Sequence, residues 1–348
     1  MNIAENKIPI TRLTAIWALS ESMLGGLLHA AHIPFRGMII SSAAVIIISL
    51  IAHYSDKRGE ILKATIIVLI IKAAISPHTP LAAYFAVFLQ GFLGEIFFFS
   101  KRFWRISSLL FGLVIGILTG SQRIITYTIV FGTTFWEAIN EFIKYVIKEF
   151  FLSANEAASL NFSFVLIGIY IFIHVIAGLA AGIMSAKLPQ KLNSEAAKQM
   201  ILNEKDLLNN RIETTETKNK KRPRWKKLFF NTVIIFAAIL LVITYINPHA
   251  MNLSSKSLLV MMIRAVLITI IWFYLVSPII LNVFKKLLSR KQNSYSDVVR
   301  NIISHFPYYK NVASVIWKIS AKEKGLRRLN YFITSIFVNI LALKFHDE

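Results

Sequence analysis

The chain has 348 residues, of which 55% are apolar, and it carries a formal net charge of +21 and no cysteine. Mean hydropathy is +0.59, and several apolar runs reach the roughly 18–20 residues that a helix needs to cross a bilayer. These properties exclude a soluble domain, disulfide bonds and thiolate metal sites. The basic residues cluster in alternate loops, which is typical of a membrane protein and argues against nucleic acid as a partner. The sequence therefore predicts an all-α, polytopic integral membrane helical bundle.

The first apolar segment, predicted to span about residues 13–32, has a small residue at every fourth position. That spacing places the small residues on one helix face, where they allow a second helix to approach closely in lipid. Similar ladders occur at Ser108, Gly112, Gly116 and Gly120, and at Gly178, Gly182 and Ala186. They predict tight helix packing, within the chain or against a partner. The members of the first ladder are Thr14, Ala18, Ser22, Gly26 and Ala30.

Five further spans are predicted in the first half of the chain, and with the first they form a six-span domain over about residues 1–187. One set of loops is richer in Lys and Arg than the opposite set, so the positive-inside rule predicts a cytoplasmic N-terminus and both ends of the six-span domain inside. The five predicted spans cover about residues 37–53, 61–76, 80–100, 106–122 and 162–186.

Between the fifth and sixth spans, residues 135–151 combine apolar positions at helical spacing with Glu and Lys on the other face. This pattern predicts a helix that lies in the outer membrane interface.

The second half of the chain is predicted to differ from the first. Residues 188–227 form a polar cytoplasmic linker, and residues 228–348 form a C-terminal domain with membrane and cytoplasmic parts. Spans are predicted at about 228–246 and 257–283, followed by a basic segment. A last apolar stretch at about 329–345 either crosses the membrane or lies on it, so the total is eight or nine spans.

Several ionisable residues lie within the predicted spans, where each needs a structural or functional reason. Glu21 needs a partner, a water cavity or a proton, and Lys72 is close enough to a span end to snorkel. For His174 the favoured explanation is a hydrogen bond to a neighbouring helix. For Glu95 it is an ion pair with Lys101 or Arg102.

Basic, aromatic and amide residues are predicted to converge near the outer face. Such a pocket suits a small ligand that carries a carboxylate or a phosphate. Within it, Arg36, Lys72 and Arg123 would supply the charge. The candidate substrate-binding residues are His29, His32, Arg36, Lys72, His78, Tyr84, Gln122, Arg123, Tyr127 and Asn161.

Signatures of enzymatic sites are absent from the sequence. It contains no G-x-x-x-x-G-K-[ST], no H-E-x-x-H and no G-x-S-x-G pattern, so neither ATP hydrolysis nor these hydrolytic chemistries are indicated. His29 and His32 lack a supporting carboxylate pair or cysteine. The sequence therefore predicts no catalytic residue, no metal site and no cofactor.

Residues 18–50 combine the small-residue ladder, a short outer turn over residues 32–37 and a second span. Together with the sequences SPHTP at 76–80 and QGFLGE at 90–95, they resemble the substrate-binding S component of energy-coupling-factor transporters. The resemblance covers about residues 10–187 and implies a six-span protein of the bacterial inner membrane. The remaining residues form an extension that S components do not usually have.

The resemblance also implies partners. S components capture a vitamin or similar micronutrient from outside and dock on a transmembrane coupling subunit, while paired ABC ATPases in other chains supply the energy. The residues that match the docking face are Ala18, Ser22, Gly26 and Ala30.

The sequence thus predicts a non-enzymatic membrane subunit that binds a small, anionic, vitamin-like nutrient for uptake. One alternative is an integral membrane scaffold or assembly factor, in which residues 135–151 and the basic tail contact proteins or lipids. A third possibility is an intramembrane enzyme that uses Glu21 with His29 or His174.

Overall fold

A computed structural model describes residues 7–30, 35–76, 79, 81–150, 160–194, 200–202 and 255–342. All regular secondary structure in these residues is helical, which confirms the all-α prediction. The predicted span at 228–246 and most of the predicted linker lie outside the described residues.

The first half of the chain forms eight helices within the described ranges. Helix α1 continues through a π-helical turn into α2, and a 3₁₀ turn precedes α6. The helices are α1 (Lys7–Leu19), α2 (Gly25–Ala30), α3 (Arg36–Tyr54), α4 (Glu60–Ile75), α5 (Leu81–Phe97), α6 (Trp104–Phe131), α7 (Thr134–Phe150) and α8 (Phe162–Leu192).

The second half contributes four further described helices. The first two are joined by a second π-helical turn, and a 3₁₀ turn lies between the last two. They are α9 (Ser255–Ile271), α10 (Ser277–Ser304), α11 (Phe306–Ile319) and α12 (Gly325–Ala342).

Three of the described helices, α3, α6 and α8, are long and apolar enough to cross a membrane. Helix α5 is apolar but has only 17 residues. These helices support a membrane protein, and the six-span arrangement stays a prediction. Helix α12 corresponds to the predicted last stretch, and it does not meet the same length and composition criteria.

Helix α6 extends nine residues beyond its predicted end at 122. The polar residues Ser121, Gln122 and Arg123 suggested a loop, but they lie on a continuing helix. The helix ends at Phe131 and is followed by Gly132, whose φ of +79° lies in the left-handed region that favours glycine. Its N–H donates to the carbonyl oxygen of Thr128 at 2.9 Å, as in a glycine-terminated helix.

The chain folds as two compact units. The first contains residues 1–117, 175–215 and 283–348, and the second contains residues 118–174 and 216–282. Each unit therefore combines residues of the predicted six-span domain with residues of the predicted C-terminal domain.

In the first unit, α1 packs against α3 and α4. Trp17 of α1, Ile48 of α3 and Ile71 of α4 are fully buried. Helix α5 approaches α4 closely, because a Cβ on Gly91 would overlap the side chain of Thr65. This packing forms the core that holds the candidate site.

The second and third small-residue ladders pack against each other in the first unit. A Cβ on Gly112 would overlap the carbonyl oxygen of Gly178, and a Cβ on Gly182 would lie 2.6 Å from the carbonyl oxygen of Ser108. Backbone therefore meets backbone where α6 crosses α8, and the predicted tight packing is confirmed within the chain.

The second unit contains the predicted amphipathic helix, which the structure places at Thr134–Phe150. Its buried residues Phe135 and Ala138 pack with Leu258 and Met261 of α9. The apolar face of α7 is thus covered by protein along these residues. The sequence had predicted only that this face meets the membrane interface, and not that α9 packs on it.

Candidate functional site

The first unit contains a buried ion pair between Glu21 and Lys72. Lys72 Nζ donates to Glu21 Oε2 at 2.6 Å, and the two side chains are only 5% and 4% exposed for Lys72 and Glu21, respectively. Each charge is compensated by the other, as buried charges require. Lys72 does not snorkel to the surface, since its ammonium group points into the bundle. The pair joins positions 51 residues apart in the sequence.

Glu21 lies in the π-helical turn Ser20–Leu24. The N–H of Gly25 donates to the carbonyl oxygen of Ser20, five residues earlier, which is the hydrogen bond that defines a π-turn. Two serine hydroxyls bond back to the preceding turn: Ser20 Oγ donates to Trp17 O at 2.9 Å and Ser22 Oγ to Ala18 O at 2.5 Å. Single π-turns within α-helices occur frequently at functional sites.

Lys72 lies in the last turn of α4, and Tyr84 of α5 fixes the end of that helix. The Tyr84 hydroxyl donates to the carbonyl oxygen of Ser76 at 3.3 Å. The N–H of Ser76 in turn donates to the carbonyl oxygen of Lys72 at 2.9 Å. Tyr84 is 3% exposed, so this predicted site residue is buried where α5 meets the end of the helix that carries Lys72.

Two buried polar atoms, one in α1 and one in α5, have no hydrogen-bond partner among the described residues. They are Nε1 of Trp17, one helical turn before Glu21, and Oε1 of Gln90 in α5. Trp17 is 0% and Gln90 8% exposed. Because buried polar atoms usually have a partner, this donor and this acceptor could serve a bound molecule.

The ten predicted substrate-binding residues divide between the two units. His32, His78 and the side chain of His29 lie outside the described residues. In the first unit, Arg36 is half-buried and Lys72 is engaged by Glu21. The residues that fall in the second unit are Gln122, Arg123, Tyr127 and Asn161.

Within the second unit, the predicted residues occupy different environments. Gln122 and Arg123 are exposed. Tyr127 packs edge-on against Phe135, with 5.7 Å between ring centroids. Asn161 Oδ1 accepts a hydrogen bond from the N–H of Phe164 at 3.3 Å at the start of α8. Tyr127 and Asn161 thus have structural roles in this unit.

The predicted docking face is largely covered by the chain itself. Ala18 is 0% and Ser22 5% exposed, whereas Gly26 is exposed and a Cβ there would meet nothing within 4 Å. The side chain of Ala30 lies outside the described residues. Docking of a partner at this ladder stays a prediction, and Gly26 is exposed among the members whose side-chain positions the structure describes.

His174 and Glu95, two of the ionisable residues within the predicted spans, make hydrogen bonds that the sequence did not predict. Nδ1 of the 2%-exposed His174 lies 2.8 Å from the carbonyl oxygen of Tyr170 in its own helix, and the predicted bond to a neighbouring helix stays a prediction. Glu95 accepts the N–H of Gly59 at 2.6 Å and that of Leu62 at 3.4 Å, so it caps the start of α4. A carboxylate is favourable there because the first N–H groups of a helix lack internal partners.

Comparison with known proteins adds no relative, because no family model, curated protein or solved structure matches this chain. Among the described residues, no group of three or more His, Cys, Asp or Glu side chains could hold a metal ion. The buried ion pair of Glu21 and Lys72 is taken as the candidate functional site, because it joins two buried charged side chains within the helical core.

Proposed function

We propose that the chain is a membrane-embedded binding subunit for a small anionic nutrient, of the kind that the resemblance to S components implies. Partner ATPases in other chains would energise uptake. The observation that carries this proposal is the buried pair of Glu21 and Lys72. Ionisable groups inside an apolar bundle are costly and commonly mark substrate or ion pathways.

Stability alone gives a weak reason to retain such a pair. Removing two charges from water costs several kcal/mol per ion, and apolar residues of similar volume are often equally stabilising. Function supplies a stronger reason. In the proposed mechanism Glu21 neutralises Lys72 while the site is empty. The carboxylate or phosphate of the ligand replaces it on binding, and Glu21 takes up a proton from water so that no buried charge is left unpaired.

The surroundings support this exchange. The π-turn places Glu21 in a segment where the regular α-helical hydrogen-bond pattern is already interrupted. Trp17 Nε1 and Gln90 Oε1 offer a further donor and acceptor. Since a site built to hydrogen-bond a polar group discriminates strongly against analogues that lack it, these atoms would add selectivity to the charge of Lys72.

Native mass spectrometry of the full chain, purified in mild detergent from its own host, tests the proposal. We expect a retained anionic small molecule or co-purified ATPase chains. The double variant Glu21→Gln/Lys72→Gln keeps the site neutral and should fold but lose the ligand. The control Lys63→Gln removes a lysine of the same helix whose side chain is 47% exposed, and it should retain the ligand.

A wild-type protein that carries no small molecule and instead co-purifies with envelope proteins would contradict the proposal and favour the scaffold alternative. A ligand retained equally by the double variant would show that Lys72 does not bind it.

The docking part of the proposal is tested separately with Gly26→Leu. The space beside Gly26 is open in the described structure, so this variant should fold and keep its ligand but lose the coupling subunit. Gly168→Leu is the matched control, because Gly168 also has nothing within 4 Å. Equal retention of the coupling subunit by both variants would exclude docking through Gly26.

A further inference from the structure

A second polar site lies at one end of the first unit, away from the ion pair. A cavity of about 270 Å³ is bounded by the last turn of α3, the first turn of α6 and the last turns of α8. These are the three described helices that are long and apolar enough to cross a membrane. The cavity therefore lies where all three apolar helices end.

The chemistry of the lining favours an anion. His53, Arg105, Gln190 and Asn193 place hydrogen-bond donors on the cavity, and all four are exposed. None of the described residues that line it is acidic. A guanidinium group with amide donors suits phosphate oxygens, because Arg forms charge-assisted bonds to phosphate in a fixed geometry.

One wall of the cavity is held in place before any ligand binds. The indole N–H of Trp104 donates to the carbonyl oxygen of Ser49 at 3.1 Å. The ring of His53 packs against the Trp104 ring with 4.9 Å between centroids. A fixed wall lowers the cost of ordering side chains on binding.

The size of the cavity and the surface beside it favour one kind of phosphate compound over others. Its volume is below the 300–1,000 Å³ typical of sites for whole drug-sized ligands, so it suits a headgroup. Beside it, exposed apolar side chains follow α6 and α8, with Ile106 55%, Leu110 47% and Ile183 44% exposed. They offer a surface for acyl chains.

We propose that this cavity binds the phosphate headgroup of an anionic phospholipid, with the acyl chains along the apolar faces of α6 and α8. Basic pockets between membrane helices are known to bind anionic lipid headgroups. Arg105 is the charged anchor, and Gln190 and Asn193 are the hydrogen-bond donors. This site is independent of the proposed nutrient site and uses none of its residues.

The proposal is tested by titrating dioleoylphosphatidylglycerol onto the full chain in detergent and measuring the bound lipid by native mass spectrometry. We expect one lipid to bind at least tenfold more tightly than dioleoylphosphatidylcholine. Arg105→Gln should weaken binding of the anionic lipid at least tenfold. The matched control Lys187→Gln removes an exposed charge of α8 that does not line the cavity, and it should weaken binding less than threefold.

Gln190→Leu provides a second variant that leaves the charge unchanged, and it should also weaken binding of the anionic lipid. Equal losses with Arg105→Gln and Lys187→Gln would overturn the site in favour of general electrostatic attraction. Equal affinity for the two lipids would overturn it as well. A last experiment adds millimolar glycerol 3-phosphate as a competitor for bound dioleoylphosphatidylglycerol. Complete displacement of the lipid would show that the cavity prefers a soluble phosphate ligand, and it would overturn the assignment to lipid.

Discussion

Gly112 of α6 and Gly178 of α8 face each other so closely that a Cβ on either would overlap the carbonyl oxygen of the other. The contact is reciprocal, and it leaves no room for any side chain at the crossing. In lipid, where the hydrophobic effect does not drive helices together, such close backbone approach is a main source of association.

Gly112→Ala and Gly178→Ala should each destabilise the protein by about 1–3 kcal/mol, because the added methyl group forces the two helices apart. Chemical denaturation in detergent, followed by circular dichroism, measures the loss. The control Gly168→Ala lies on α8 with open space around it and should gain about 0.5–1 kcal/mol from helix propensity. If all three variants behaved alike, the crossing would not contribute to stability.

The buried ion pair predicts a strongly non-additive double-mutant cycle. Glu21→Leu or Lys72→Met alone leaves one buried charge without its partner, which costs about 3–5 kcal/mol. The double variant removes both charges and should be close to wild type in the free energy of unfolding. Chemical denaturation of the four proteins measures the coupling.

The pair Lys63–Glu60, at 3.8 Å and with side chains 47% and 25% exposed, is the matched control for that cycle. Its coupling should be about 0.2–1 kcal/mol, as for other surface pairs. Coupling energies of similar size in the two cycles would mean that Glu21 and Lys72 are more hydrated in solution than in the structure.

Arg12 of α1 binds the end of the last described helix. Its Nη1 donates to the carbonyl oxygen of Leu341 at 3.0 Å and to that of Ile340 at 3.4 Å. Arg12→Gln should cost about 1.5–3 kcal/mol, the usual range for a hydrogen bond to a charged group. Hydrogen–deuterium exchange should show faster exchange at the end of α12. The exposed Arg327→Gln should leave that exchange unchanged, and an identical profile for both variants would contradict the role of Arg12.

Glu95 should stabilise the start of α4 by accepting two N–H groups. Glu95→Ala removes both acceptors and should cost about 0.5–2 kcal/mol, as for other lost caps. Glu95→Gln keeps one acceptor oxygen and should cost less. Thermal unfolding of the two variants in detergent measures the difference. A larger loss for Gln than for Ala would indicate that the cap is not the source of stabilisation.

Part of this fold follows from sequence patterns that depend on one helix alone. The four-residue spacing of glycines predicted tight helix packing, which α6 and α8 make with each other, and the amphipathic pattern at 135–151 predicted a helix that corresponds to α7. Both succeed because a helix fixes which residues share a face. The end of α6 was placed too early, since a short polar run such as Ser121–Arg123 is compatible with either a loop or an exposed helical turn.

The candidate site needed information that no single helix contains. Whether Lys72 reaches Glu21, a surface or a ligand depends on how α4 is rotated against α1. The π-turn that holds Glu21 has no distinctive residues, since Ser20–Leu24 reads as ordinary helix. The partner of a buried charged residue was therefore not predictable from the sequence of its own helix.

The bond from Arg12 to Leu341 also bears on how the protein is made. The two residues are separated by 329 positions, and synthesis runs at about 5–20 residues per second. The hydrogen bonds of Arg12 to the end of α12 can therefore form only roughly 15–65 seconds after the ribosome has produced the first helix. During that interval the Arg12 guanidinium group needs another hydrogen-bond acceptor, such as water at the membrane surface or a component of the insertion machinery.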